Sequence, residues 1–428
     1  MVINKIKQMT MKTKILSAFA LIFLSMAGCK KAKFGDPIIM AAGTEESPIV
    51  KFTVEGTPSE YSVTAVSSHK ATTDMSVLFE LDTAAVGRYN TEHHTNYYAV
   101  PEAAIDITNL ATVIKAGSAA STPVSVKVVS TSPLIDGRSY VIPLTIKSVS
   151  GGDMSVLESS RTIFLRISRV INFNAVAMNN SAGPTSGSPG TRGRINASAL
   201  FDTDNPEILP NFTFEIKNMV YGFRGGDGNT NPQPIQTLIH FTNLAENSTI
   251  GLRYGELGNP SNSLQLFGRL GSVFVHNFNT MQWYTISITY DGSTGRIYLD
   301  GNMVGELTAA LVMEFSRINL GQNWGGYDTR QYFNGRVGEI RVWNRALTSA
   351  EIKLNMCGAD PNANGLLAYW KMNEGQGHIF YNSASSGAKY DMDWSKVYWD
   401  NAGNGTLVQA DKSQYVTWTD DEYNKCSQ

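Results

Sequence analysis

The chain has 428 residues, 42% of them hydrophobic and 17% charged, with 38 glycines and a formal net charge of −2. That length exceeds one typical core and asks for two or three domains, while the composition excludes wholesale disorder and fits a soluble β-rich protein. A charge so close to neutral argues against electrostatic capture of nucleic acid, and no nucleic-acid-binding motif is present, so no such partner is expected.

Ile15 to Met26 is the one strongly apolar N-terminal run, preceded by Lys5, Lys7, Lys12 and Lys14 and followed by Ala27-Gly28-Cys29. A basic region, a short apolar core and small residues make residues 1–28 a secretory signal, too short for a spanning helix. The Ala-Gly-Cys ending resembles a bacterial lipobox. The resemblance implies cleavage before Cys29, lipidation of its thiol and attachment to a membrane through that lipid. Residues 29–47 then read as a tether. Surface-exported lipoproteins of Gram-negative gut anaerobes usually carry acidic residues here, where this chain has Lys30, Lys31 and Lys33. The outer membrane is the expected location, and its face stays open.

Residues 48–169 form a first β domain. Val77 to Leu81, Val124 to Val129, Tyr140 to Ile146 and Thr162 to Ile167 read as short strands, separated by turn signals such as Asp136-Gly137 and Gly151-Gly152-Asp153. Short strands at this spacing suggest an immunoglobulin-like sandwich. Tyr140-Val141-Ile142-Pro143-Leu144 and the Thr162–Ile167 strand resemble the N-terminal domain of lipoproteins from polysaccharide-utilisation systems. That resemblance brings outer-membrane transport proteins in as partners. Tyr89 to Tyr98 reads as a polar solvated loop. Its adjacent His93 and His94 would point to opposite faces of a strand and so could not chelate one metal together.

Residues 170–428 carry the second domain. Ser181 to Arg194, rich in Gly, Ser, Pro and Thr, reads as a long loop after a first strand. Phe212–Val220 and Ile235–Phe241 read as strands around the loop 224–234, and Leu264 to Val275 as a hairpin. Trp283 to Tyr290 alternates with period two, the mark of a strand with one buried face. Asp291-Gly292 and Asp300-Gly301 supply the turns that follow. Thr348-Ser349-Ala350-Glu351 is a capping-box pattern, so one short helix is expected there and almost none elsewhere. Residues 358–428 read as closing strands of the same sandwich or a small appended subdomain, the first being favoured because the segment has few aliphatics.

Trp283, Tyr290-Asp291-Gly292, Tyr298-Leu299-Asp300-Gly301, Phe333-Asn334-Gly335 and Gly338 to Leu347 together resemble the laminin-G-like, concanavalin A-like jelly-roll family. The resemblance implies an all-β chain, with an immunoglobulin-like sandwich followed by a concanavalin A-like jelly roll. It says little of function, because that fold carries lectins, adhesion modules and glycosidases alike. The glucanases of the fold carry paired carboxylates on one strand, and no such motif is found; Glu215 and Glu339 stand alone in the sequence. Trp283, Trp343 and Trp370 sit in the motif strands and read as core.

Sugar recognition asks for aromatic faces beside groups that bond hydroxyls. The loop from Gln322 to Tyr332 supplies both, so Trp324, Tyr327, Asp328 and Arg330 are the expected ligand-binding residues, joined by Asp227 and Asn229 from the other long loop. The laminin-G-like resemblance implies calcium as a cofactor, with Asp202, Asp204 and Asn205 as one ligand loop and Asp328 as another. Cys357 and Cys426, outside the cytosol, could form a disulfide tying the last strands to the jelly roll; two buried thiols are the alternative. The function read from all this is capture of oligo- or polysaccharide by an outer-membrane lipoprotein of a polysaccharide-utilisation system. A glycoside hydrolase with carboxylates drawn from loops and an adhesion protein with a protein partner are the alternatives.

Overall fold

The computed structural model describes residues 37–178, 195–223, 235–256, 258–275, 278–321, 331–400 and 406–427. Cys29, the Ser181–Arg194 loop, Asp227, Asn229 and the expected sugar-binding residues Trp324, Tyr327, Asp328 and Arg330 lie outside them. The chain divides into two units. One comprises residues up to 52 with 57–131 and 140–166, and the other comprises 53–56, 132–139 and 167–428.

The first unit is built of short strands. Ile38–Ala41 lies between Ala65–Ser67, antiparallel, and Ser155–Val156, parallel. The region read as tether therefore already contains a strand, whose Ile39 and Ala41 are buried while Ile38 and Met40 are half-buried. Ser59–Val63 and Ile105–Asp106 flank Val124–Val128, where Val124, Val126 and Val128 point inward. Met75–Leu81 pairs with Ala111–Ile114 and with Ser139–Ser150, which pairs in turn with Thr162–Ala177.

Part of the stretch read as a polar loop is helical, Ala84–His93. The carboxylate of Asp82 accepts from the Ala85 N–H at 3.2 Å, supplying a partner for one of the orphan donors at the start. Ala85 and Val86 pack with Val141 and Phe164. Tyr89 packs at a tilt against Phe164 at 4.7 Å and against His93 at 4.2 Å, so His93 belongs to an aromatic cluster. His94 ends the helix at φ 53°, and Asn90 ties the exit by bonding both backbone groups of Tyr97. Propensity in this polar run is overridden by one apolar stripe and a start that satisfies its own donors.

In the second unit two sheets face each other. In the first sheet, Phe212–Val220 lies between Trp283–Tyr290 and Gly335–Trp343. Thr294–Leu299 and Asn302–Thr308 extend it on one side. Leu366–Trp370 pairs with Gly335–Trp343, and Trp418–Ser427 with Thr162–Ala177. The second sheet runs in the order Val273–Val275, Leu264–Gly268, Ile250–Tyr254, Gln236–Thr242, Arg317–Leu320, Ala197–Leu200, Val397–Asp400, Leu407–Ala410. The tail thus adds strands to both sheets. Between them lies a large core, with Phe214 and Phe241 stacked at 4.3 Å and 10°.

The expected single buried face of Trp283–Tyr290 is a departure, because Thr285, Ser287 and Thr289 are buried too. The face of the first sheet turned away from the core is itself covered. Tyr298, Trp343, Leu347, Ile352, Ala359 and Tyr369 form a second apolar cluster there. The helix Ser349–Leu354 sits in it with the expected capping box, Thr348 and Glu351 each bonding the other's backbone. Cys357 and Cys426 are disulfide-bonded, Cα to Cα 5.3 Å, joining the segment after that helix to the strand Trp418–Ser427.

Under this cover the two solitary glutamates meet. Arg341 pairs with Glu339 and, at 3.3 Å, with Glu215, all three fully buried. Glu215 also accepts from Ser287 at 2.9 Å and from the Trp343 indole N–H at 2.9 Å. Burial works against the charge on Arg341, but Glu339 and Glu215 overcome it and raise its pKa above the usual arginine value. Taking such charges out of water is costly, and removal of one partner leaves the others uncompensated. Arg341→Leu should therefore destabilise the second unit by roughly 3–5 kcal/mol in denaturant unfolding, and Glu215→Gln, which keeps the shape, by less.

Candidate functional site

The two expected binding loops leave from one end of the second unit. Gln236 bridges their anchors: its amide nitrogen donates to Gly222 O at 2.9 Å, and its amide oxygen accepts from Asn334 N at 3.1 Å. Gly321 N donates to Leu238 O, Thr237 N to Gln331 O, and Tyr221 N to Asn334 O. The chain on both sides of Asp227 and Asn229 is therefore fastened beside the chain on both sides of Trp324 to Arg330.

The same end begins the strand Trp283–Tyr290, since Trp283 is paired with Met219 and Met281 N donates to Val220 O. Here the cover over the outer face stops and a cavity of about 570 Å³ opens. Trp283 lines it, half-buried rather than in the core where the sequence placed it. Its ring lies across Gly338, where a Cβ would meet it at 3.2 Å, so a glycine lets the indole lie flat on the sheet. Lys217, on the neighbouring strand, holds its ammonium 5.7 Å from the Trp283 ring centroid and 5.1 Å from that of Phe173.

Thr280, Gln282 and Asp300 add hydrogen-bonding groups. Asp300 sits in its turn at φ 47°, and its carboxylate accepts from Thr285 N at 2.8 Å. Burial raises the pKa of Asp300, against the lowering effect of that backbone bond and of Lys217. The far wall is Met356, Lys425 and Cys426, positioned through the disulfide. An aromatic plane, an amide, hydroxyls and both signs of charge suit a polar ligand with apolar C–H patches.

Trp343 and Trp370 are fully buried, as read from the motif. Asp202 and Asp204 lie on an exposed turn, where Asp202 bonds Asn205 N and its side chain, both at 3.2 Å. Among the described residues no group of three His, Cys, Asp or Glu is placed to hold a metal ion.

On the outer face of the second sheet, His240 is fully buried and its Nε2 has no hydrogen-bond partner. Phe267 meets its ring edge-on at 5.3 Å, and Gly251 leaves the space Phe267 needs. Its Nδ1 lies 3.4 Å from the Asn319 amide. Burial, then the nearby Arg317 and Arg253, lower its pKa to about 3. The unfolded chain takes up a proton near pH 6.5 and the folded chain does not, so acidification favours unfolding. Between about pH 6 and pH 4, His240→Gln should flatten the fall in unfolding free energy by up to roughly 1.4 kcal/mol per pH unit relative to the parent.

Residues 236–353 match the family model of the concanavalin A-like lectin/glucanases superfamily, and residues 34–153 match a model described as an N-terminal domain. The second unit therefore has the concanavalin A-like fold, and the chain as a whole is all-β in class. No curated protein matches the chain. Among solved structures, a candidate carbohydrate-binding protein from Bacteroides ovatus is similar over 87% of this chain and 98% of its own, at 20% identity and a TM-score of 0.60. A pentraxin from Limulus polyphemus matches over 59% of this chain and 97% of its own, at 11% identity and a TM-score of 0.34.

Proposed function

We propose that this chain is a carbohydrate-binding lipoprotein, anchored through Cys29 in the outer membrane, which captures glycans for a polysaccharide-utilisation system. The observation that carries the binding reading is the cavity at Trp283, where an indole face lies beside Asp300, Gln282 and Lys217. The fold shared with the Bacteroides ovatus protein, itself described as carbohydrate-binding, is in line with it. Stacking one sugar on Trp283 contributes on the order of 1 kcal/mol. Single-site affinity is then weak, and many anchored copies supply avidity. Trp324, Tyr327, Asp328 and Arg330, with Asp227 and Asn229, extend the proposed surface from the adjoining loops.

The hydrolase alternative draws no support from the two glutamates of the first sheet. Glu215 and Glu339 are buried and bound to Arg341, so neither is presented to a glycosidic bond. A glycan array and a reducing-sugar assay on the same panel separate the classes: binding without product is expected, and product would overturn the reading.

Trp283→Ala should weaken glycan retention in native affinity electrophoresis while the melting temperature moves little, because the ring is half-buried at a cavity edge. Trp343→Ala, at a fully buried indole, should cost roughly 3–5 kcal/mol and lower the melting temperature by many degrees. Cys29→Ala should move the protein from the membrane to the soluble fraction; unchanged membrane partitioning would refute the anchor.

A further inference from the structure

We propose that the Trp283 cavity selects glycans bearing an anionic group, a uronate carboxylate or a sulfate, with Lys425 and Lys217 forming its cationic side. This rests on the carbohydrate-binding reading and names the class of sugar.

Among the described residues, three charged ones line the cavity, Lys217, Lys425 and Asp300, two of them positive. The carboxylate of Asp300 accepts from Thr285 N, on the neighbouring strand, at 2.8 Å and lies within electrostatic reach of Lys217. Among these described residues positive charge is in excess, although the whole chain carries a formal net charge of −2. Lys217 lies over two aromatic rings, which position an ammonium while leaving its charge intact. An anionic sugar stacked on Trp283 thus meets a cation already seated on the same ring.

Lys425 is exposed and makes no ion pair with a described residue. Its position is nevertheless built. The next residue, Cys426, is bridged to Cys357, and Met356 before that cysteine lines the same cavity. The strand's pairing with Thr162–Ala177 shifts register between Asn172 and Phe173, opposite Lys425 and Asp421. The bridge fixes the backbone of Lys425 at the cavity rim, within reach of a bound anion. A divalent cation is a poorer occupant, as a single carboxylate beside two ammonium groups offers it little.

The test pairs polymers that share a backbone and differ in charge: polygalacturonate with fully methyl-esterified pectin, and dextran sulfate with dextran. Affinity electrophoresis of the parent chain should show stronger retention on at least one anionic member than on its neutral twin, and the responding pair tells carboxylate from sulfate. Lys425→Gln should weaken that retention about threefold, the size of a solvent-exposed ion pair, and leave the neutral twin unchanged. Lys70→Gln, at an exposed site in the first unit, should change neither. Added salt should erase the preference for the anionic member, and Trp283→Ala should abolish it. Equal retention of both twins, or equal behaviour of Lys425→Gln and Lys70→Gln, overturns the anionic selectivity and leaves carbohydrate binding standing. Retention of no member of either pair, or of any neutral glycan on the array, overturns both.

Discussion

Three charges buried on the outer face of one sheet set the plan of the second unit. Glu215, Glu339 and Arg341 come from adjacent strands and pair with one another beneath Trp343 and Tyr369. A sheet whose far face carried only this cluster would leave it half in water, where such a pair contributes little. The helix Ser349–Leu354 and the residues around it cover the cluster instead, with Tyr369 of the neighbouring strand over Arg341. Cover is thick over Thr213, Thr289 and Trp343 and thins along the strands toward Lys217 and Trp283. The cavity is the place where that cover runs out, so the same arrangement that seals the charges also exposes the indole.

Much of the fold was legible in the sequence, because strand alternation and turn chemistry are local. Trp283–Tyr290, the Asp300-Gly301 turn and the Thr348 capping box lie where they were read. The tail and the outer cover were less so. Thr285, Ser287 and Thr289 are small and polar, and nothing nearby in the chain says that residues some way downstream will bury them. The helix Ala84–His93 was missed because its stripe of Ala85, Val86 and Tyr89 is thin beside its polar residues. Its decisive contact, Phe164, lies far along the chain.

The expected sugar-binding residues lie outside the described ones, but the two loops singled out do leave from anchors bridged by Gln236. Trp283 was assigned to the core because it belongs to a motif strand. Its exposure depends on Gly338 and on where the cover ends, neither of which a motif encodes. The cavity's other wall comes from Met356, Lys425 and Cys426, and only the disulfide makes them neighbours. A pattern of spacing could raise that bridge as an option without locating a pocket beside it.

The pairing of Thr162–Ala177 with Trp418–Ser427 also has a kinetic side. Ala175 and Thr419, bonded in this ladder, are 244 positions apart. Contacts of such separation must close a very long loop before they return any stabilisation, and chains rich in them fold slowly. That ladder is therefore expected to form late, and until it does the open edge of Thr162–Ala177 is exposed to wrong partners, including another copy of itself. Refolding yield of this protein should thus be governed by concentration and by the arrival of its C-terminal strand, long after the hairpins of the middle have formed.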